Sequence, residues 1–242
     1  VSFFLEFVRN PMTVGAVLPS GSALGKAATA AVPLTGCPTV LELGPGTGAF
    51  TRTIQQRLAG SGRHIAVEVN PRFARQLAAL YPAVDVAIAD AISLREVLTQ
   101  RSVDQVDVVV SGLPWAAFDE KSQHDVLSEV LAVMHPGAVF TTFAYVHARW
   151  APPALRMLRS LRSRFEEVVV GRTVWANVPP AMVYYCRRPI GPDENGRRPM
   201  IAVSRESLGV GPDFPGIAPN PLLSSTWRPL TASRSAGSQT KT

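Results

Sequence analysis

The stretch Val40-Leu41-Glu42-Leu43-Gly44-Pro45-Gly46-Thr47-Gly48 constrains the fold of this chain more than any other. An apolar run broken only by Glu42 reads as a strand buried on both faces, and residues 49–58 after it have the pattern of a helix. Glycines at alternate positions let the main chain bend sharply at the carboxyl end of the strand. They admit a ligand where a Cβ would collide, and the helix start turns its unpaired N–H groups toward the same place. The third glycine, Gly48, comes too early for the dinucleotide fingerprint G-x-G-x-x-G. Glu42, just before the turn, would repel a pyrophosphate but suits an ammonium group.

The same alternation continues along the chain. Strands are expected at 39–43, 64–69, 84–89, 106–110 and 138–145, and helices at 23–31, 71–80, 120–134 and 153–164. Asn70 and Pro71 supply a cap and a first-turn proline for the second of the interstrand helices, and Pro136 with Gly137 is expected to stop the 120–134 helix. Parallel neighbours need crossovers of about a dozen residues, which these helices provide. Two further strands, 165–174 and 181–187, are joined by a short link at 177–180 and must therefore run antiparallel. The expected architecture is an α/β Rossmann-like fold with a mostly parallel seven-stranded sheet. It has one antiparallel strand near the C-terminal end and helices on both faces.

With 242 residues, 46% of them hydrophobic, the chain can bury one α/β core of this kind but not two domains. Residues 33–189 form the expected domain. Residues 1–32 form a leader whose first ten residues gather Phe3, Phe4, Phe7 and Val8 on one face of a short amphipathic helix. Residues 190–242, rich in Pro, Gly and Ser, read as a disordered tail. Cys37 and Cys186 stand far apart without metal-type spacing, so no metal site is expected and a reducing, cytoplasmic setting fits. No apolar run approaches the roughly 20 residues of a membrane span. A net charge of +6 favours an anionic partner, either nucleic acid or an acidic membrane surface.

Acidic residues end the next two expected strands. Glu68, followed by Val69, stands where nucleotide-binding folds place the carboxylate that holds ribose hydroxyls. Asp90 can reach an adenine amino group, with Ala91 or Ile92 beside the ring. With Glu42, Gly44, Pro45, Gly46, Thr47 and Gly48, this set resembles the first motif of the class I methyltransferases. The resemblance implies S-adenosyl-L-methionine as cofactor, with Ser111 and Gly112 at the end of the fourth strand completing its site.

The fourth strand and its sequel, Asp107 to Trp115, look like the corresponding motif of the bacterial phospholipid N-methyltransferases. The likeness extends to Arg9-Asn10-Pro11, Val14-Gly15-Ala16, Pro19-Ser20 and the segment from Val174 to Ala181, and covers residues 3–188. It implies methylation of a phosphatidylethanolamine-like lipid amine and contact of residues 3–8 with an anionic membrane, at the inner face of the cell membrane. The related ribosomal RNA adenine dimethyltransferases carry Asn or Asp at the strand end where this chain has Ser111-Gly112. The missing amide or acid acceptor weighs against nucleic acid, although an RNA adenine N6-methyltransferase and a small-molecule methyltransferase stay as alternatives. The sequence carries no signal for an oligomeric state.

A lipid amine must lose a proton before it can attack a methyl group. Tyr145, His147 and Asp119 are the candidates to relay it, and Ser111, Trp115 and Tyr145 form the expected catalytic set. Trp115, Tyr145 and Trp175 are candidate aromatic walls for the methylated ammonium. His147, Arg149 and Asn177 complete the expected acceptor contacts, with Arg149 able to meet a phosphate through paired donors.

Overall fold

The computed structural model describes residues 21–190. The expected amphipathic helix at 1–10, the leader motifs up to residue 20 and, apart from Ile190, the tail at 190–242 lie outside the described residues. In chain order the elements are α1 (Ser22–Ala28), β1 (Thr39–Leu43), α2 (Ala49–Leu58), β2 (Arg63–Glu68), α3 (Pro71–Leu80), β3 (Asp85–Ile88), α4 (Leu94–Thr99), β4 (Val106–Ser111), α5 (Glu120–Val133), β5 (Met134–Tyr145), α6 (Pro152–Arg162), β6 (Phe165–Val170) and β7 (Ala181–Pro189).

The seven strands form one sheet in the order β3-β2-β1-β4-β5-β7-β6. Strands β1 to β5 are parallel to their neighbours, and β7 is antiparallel to both β5 and β6. The register places Val40 beside His64 and Glu42 beside Ala66, so these residues share one face. On that face Val40, Val108 and Val110 pack against Leu24 and Ala28 of α1 and Phe50 and Ile54 of α2, and Leu77 of α3 covers Ala66. Leu41, Leu43, Ile65 and Val109 point the other way, into a core closed by Leu94, Leu127, Val130, Met157 and Leu161 from α4, α5 and α6. Burial on both faces explains why the central strands are continuously apolar.

Three local expectations change. Helix α5 ends at Val133, and Met134 already pairs with Val106. Pro136 and Gly137 therefore do not stop a helix. They lie in a bulge where β5 advances from Met134 to Val139 while β4 advances only from Val106 to Val108, and an irregular stretch tolerates a residue without an N–H. Strand β6 is shorter than the expected 165–174: it stops at Val170, and Val174 returns only for an isolated bridge to Ala181. Helix α4, with six residues, is too short to carry a readable period.

Strand order reverses at β1. The chain leaves β1 toward β2 on one side, and β4 pairs on the other, which opens a crevice at the carboxyl ends of β1 and β4. Phe140 lies at the centre of the core behind it, fully buried, stacked on Phe165 at 5.9 Å and meeting the edge of Trp115 at 6.0 Å. Phe140→Ala is expected to cost about 3–5 kcal/mol of folding free energy. Urea unfolding followed by far-ultraviolet circular dichroism measures it, and a loss below about 1 kcal/mol would contradict this packing.

Candidate functional site

Backbone bonds carry the sheet ladder past the strand ends. The Gly44 N–H donates to Val67 O at 3.0 Å, the Gly112 N–H to Leu43 O at 2.8 Å and the Ala89 N–H to Glu68 O at 3.3 Å. The carboxyl ends of β3, β2, β1 and β4 are therefore level. Asp90, Glu68, the 44–48 turn and Ser111 with Gly112 stand in one row along the crevice.

The turn bends through Gly44, Gly46 and Gly48, all with positive φ, and Gly48 N–H closes it on Pro45 O at 2.9 Å. A Cβ on Gly46 would meet nothing within 4 Å, so this side of the turn is open space. A Cβ on Gly112 would lie 2.7 Å from Gly44 O, a backbone atom that cannot yield. The two strand ends at the crevice thus approach more closely than any side chain permits. Pro45 is buried beneath the turn and Thr47 is exposed on it. Helix α2 starts at this turn with no side chain capping its first N–H groups.

Glu68 ties the turn to β2. Its Oε2 accepts from Gly46 N–H at 3.1 Å and its Oε1 from Asn70 N–H at 2.8 Å. Burial pushes its carboxyl up from the ordinary glutamate range, and these N–H donors pull it back. Val69, half-buried, follows it. Each carboxylate oxygen keeps a lone pair for a ribose hydroxyl. Asp90 is half-buried and accepts from Ile92 N–H at 3.2 Å. Of the two residues expected beside a ring, Ala91 is packed into the core and Ile92 is the exposed one.

Glu42 lies beneath the first turn of α2, 0% exposed. Its Oε2 accepts from Thr51 Oγ1 at 2.7 Å and meets His64 Nε2 at 3.1 Å. His64 Nδ1 in turn lies 2.9 Å from Gln55 Nε2. An amide nitrogen only donates, so Nδ1 accepts and the imidazole proton sits on Nε2, facing Glu42. Glu42 Oε1 is buried with no hydrogen-bond partner. A buried carboxylate oxygen left open, next to a turn with free space above it, fits the ammonium of an amino-acid-bearing nucleoside. Thr51, Gln55 and His64 were not expected in the site. Their signal was a polar residue, His64, inside an otherwise apolar strand.

The acceptor side departs further from expectation. Ser111 is fully buried, and its Oγ takes the N–H of Leu113 at 3.3 Å and Nε1 of Trp115 at 3.0 Å. Trp115 is not an open aromatic wall but a core residue packed against Phe118 and Phe140. Both therefore shape the 111–115 turn instead of facing an acceptor, because burying an indole demands a partner for its N–H. Asp119 caps α5 by accepting from Ser122 N–H at 2.7 Å, and its Ser122 bonds hold its carboxyl below the usual range.

Strand β5 runs beyond the row. Val110 pairs with Thr141, so Tyr145 stands three residues, about 10 Å, past the level of Ser111. Tyr145 is half-buried, and burial pushes its phenol up, so at neutral pH it is an uncharged hydroxyl and not a base. The exposed His147 ring stacks on it at 5.7 Å. Arg149 is exposed, with its guanidinium 4.7 Å over the Trp150 ring. Trp175 is exposed. Asn177 is buried and committed internally: its Oδ1 accepts from Gly21 N–H at 2.8 Å and its Nδ2 donates to Pro179 O at 2.7 Å. It is thus a clip between the start of the described chain and the 174–180 loop, not an acceptor contact.

Among known proteins, the family described as "Methyltransferase domain" matches residues 40–137. The chain is 32% identical over 194 residues to the ornithine lipid N-methyltransferase of Singulisphaera acidiphila, a match covering 76% of this chain and 95% of that one. Its fold is similar to the O-methyltransferase from Bacillus cereus in complex with SAH, with TM-score 0.56, 13% identity, and coverage of 76% of this chain and 90% of that one. It is also similar to human methyltransferase-like protein 13 in complex with SAH, with TM-score 0.50, 19% identity, and coverage of 72% and 81%. Among the described residues no group of three or more His, Cys, Asp or Glu is placed to hold a metal ion, and no helix is long and apolar enough to cross a membrane.

Asn177→Ala removes the partners of two backbone groups and is expected to destabilise the fold by about 1–3 kcal/mol. Chemical denaturation reads this directly. An unchanged midpoint would show that the clip contributes nothing.

Proposed function

Starting from its membership of the bacterial lipid N-methyltransferase-like class I S-adenosylmethionine-dependent methyltransferases, we propose that this enzyme methylates the amine of a membrane lipid headgroup, phosphatidylethanolamine-like in chemistry. The observation that carries the reading on the donor side is the row of level strand ends with two buried carboxylates, Glu68 and Glu42, flanking an open glycine turn. On the acceptor side it is supported by near full-length similarity to a relative named for a lipid amine.

When bound, S-adenosylmethionine supplies an electrophilic methyl group on a sulfonium. The chain's residues position it. Glu68 would accept from the ribose hydroxyls while holding Gly46, Asp90 would take the adenine amino group and Ile92 would cover the ring. Glu42 Oε1 would receive the ammonium, with Thr51 and His64 fixing its other oxygen. Ser111 and Gly112 set the floor between donor and acceptor, since Gly112 brings β4 against the turn. Past that floor, Tyr145 Oη accepts a hydrogen bond from the headgroup nitrogen. His147, stacked on Tyr145 at the surface, passes the released proton to solvent. Positioning of the two reactants in line supplies most of the rate. A lipid acceptor places residues 3–8 at an anionic membrane surface, with the protein peripheral to it.

Adenine in RNA fits the geometry less well. Ser111 takes the place of an amide or acid at the strand end, and its oxygen is already used by two N–H donors. Incubation of the protein with labelled donor and, separately, phosphatidylethanolamine, ornithine lipid and ribosomal RNA tests the acceptor class. Label in either aminolipid supports the proposal, and label in RNA alone rejects it.

Glu68→Ala should weaken S-adenosylhomocysteine binding by about 30-fold or more in calorimetry, since two charge-assisted hydrogen bonds are lost. Because burial raises the Glu68 carboxyl, wild-type affinity should fall on acidification beginning above the ordinary glutamate range, and Glu68→Gln should flatten that dependence. Glu42→Gln should weaken S-adenosylhomocysteine about tenfold while leaving methylthioadenosine, which lacks the ammonium, unchanged. Equal losses for both compounds would show that Glu42 acts only on the fold.

Tyr145→Phe should lower kcat about 10- to 100-fold with donor affinity intact. An unchanged kcat would remove Tyr145 from the acceptor side.

A further inference from the structure

Of the eight exposed large hydrophobic side chains among the described residues, both tryptophans and Val178 lie at one edge. Trp150 is 65% exposed, Trp175 74% and Val178 68%. Trp150 follows β5, and Trp175 and Val178 lie in the loop that leads into β7. Tyr145 pairs with Ala181, Ala181 bridges to Val174, and Val146 N–H donates to Pro180 O at 2.9 Å, so both loops sit at the carboxyl end of β5. That is the edge holding the glycine turn and the row of carboxylates. Single exposed hydrophobics are common on any protein, but two tryptophans beside a ligand crevice are not accounted for by the donor site.

Around the two loops themselves, apart from the row of carboxylates, the charge has one sign. Residues 130–165 and 168–190 contain no Asp or Glu. Arg149 lies against Trp150, and Arg172 follows the end of β6, which runs parallel to β5 because both are antiparallel to β7. Tryptophan next to arginine suits the headgroup layer of a bilayer, where the ring is amphipathic and the cation meets lipid phosphates. The Gly21 N–H is held by Asn177 in the same loop, so the first of the described residues lies at this edge.

From this placement we propose that the 146–150 and 174–180 loops form a docking face for an anionic lipid bilayer. Trp150, Trp175 and Val178 enter the headgroup layer, and Arg149 and Arg172 pair with lipid phosphates. The inference rests on the reading that the acceptor is a lipid, and goes beyond it by naming the part of the folded domain that meets the membrane. Docking there presents the crevice to the headgroups, so the acceptor amine reaches Tyr145 without the lipid leaving its leaflet.

The test is cosedimentation of the full chain with vesicles of phosphatidylcholine, with and without phosphatidylglycerol, at two salt concentrations. Wild type and a Trp150→Ser, Val178→Ser double variant are compared, with methyl transfer to detergent-dispersed aminolipid measured in parallel. Both side chains are exposed, so the variant should keep the wild-type melting temperature. The expected result is salt-sensitive binding of wild type to anionic vesicles, about tenfold weaker partitioning of the variant, and equal transfer to dispersed lipid. Equal partitioning of the two proteins overturns the docking face, as does wild-type protein that ignores anionic vesicles. Wild type that is dimeric in light scattering while the variant is monomeric also overturns it, in favour of a second copy of the chain. Vesicle binding lost in the variant, with no aminolipid methylated by either protein, upholds the face and defeats the lipid-acceptor reading.

Discussion

A buried carboxylate reaching across two strand ends holds the crevice together. Glu68 costs free energy to bury, and the N–H groups of Gly46 and Asn70 offset part of that cost by donating to its two oxygens. The bond to Gly46 sets the bend of the turn after β1, and the bond to Asn70 sets the start of α3, where Asn70 in turn caps by accepting from Arg72 N–H. Two loops that would otherwise be independent are thus fixed relative to one another.

The second buried carboxylate works by the opposite distribution. Glu42 gives one oxygen two partners, Thr51 and His64, and leaves the other with none. In a core that satisfies nearly all its polar atoms, such an imbalance stands out. Close approach of β4 to β1 through Gly112 keeps the two strand ends tightly apposed beside the turn.

The acceptor half is built on different principles. Strand β5, with β7 beside it, overhangs the row of strand ends, carrying Tyr145, His147 and the exposed tryptophans away from the donor turn. On the opposite face of the sheet the Ser111–Trp115 bond closes the core, which is why two residues expected at the chemistry belong to the scaffold.

Local pattern alone determined the strand and helix alternation, the glycine turn and the acidic strand ends, because each depends on residues close in the chain: apolar runs, Gly and Pro positions, and the cap at Asn70. Helices α2 and α3 match the bounds expected of them for the same reason. What a polar or aromatic side chain faces depends instead on strands far apart in sequence. Trp115 reads as a wall until Phe140 and Phe165 close around it, and Asn177 reads as a ligand contact until Gly21 takes its oxygen. Only the tertiary structure could bring His64 and Thr51 to Glu42, or set Tyr145 beyond the row, since strand register and face are decided by pairing across the whole sheet and no spacing along the chain records them.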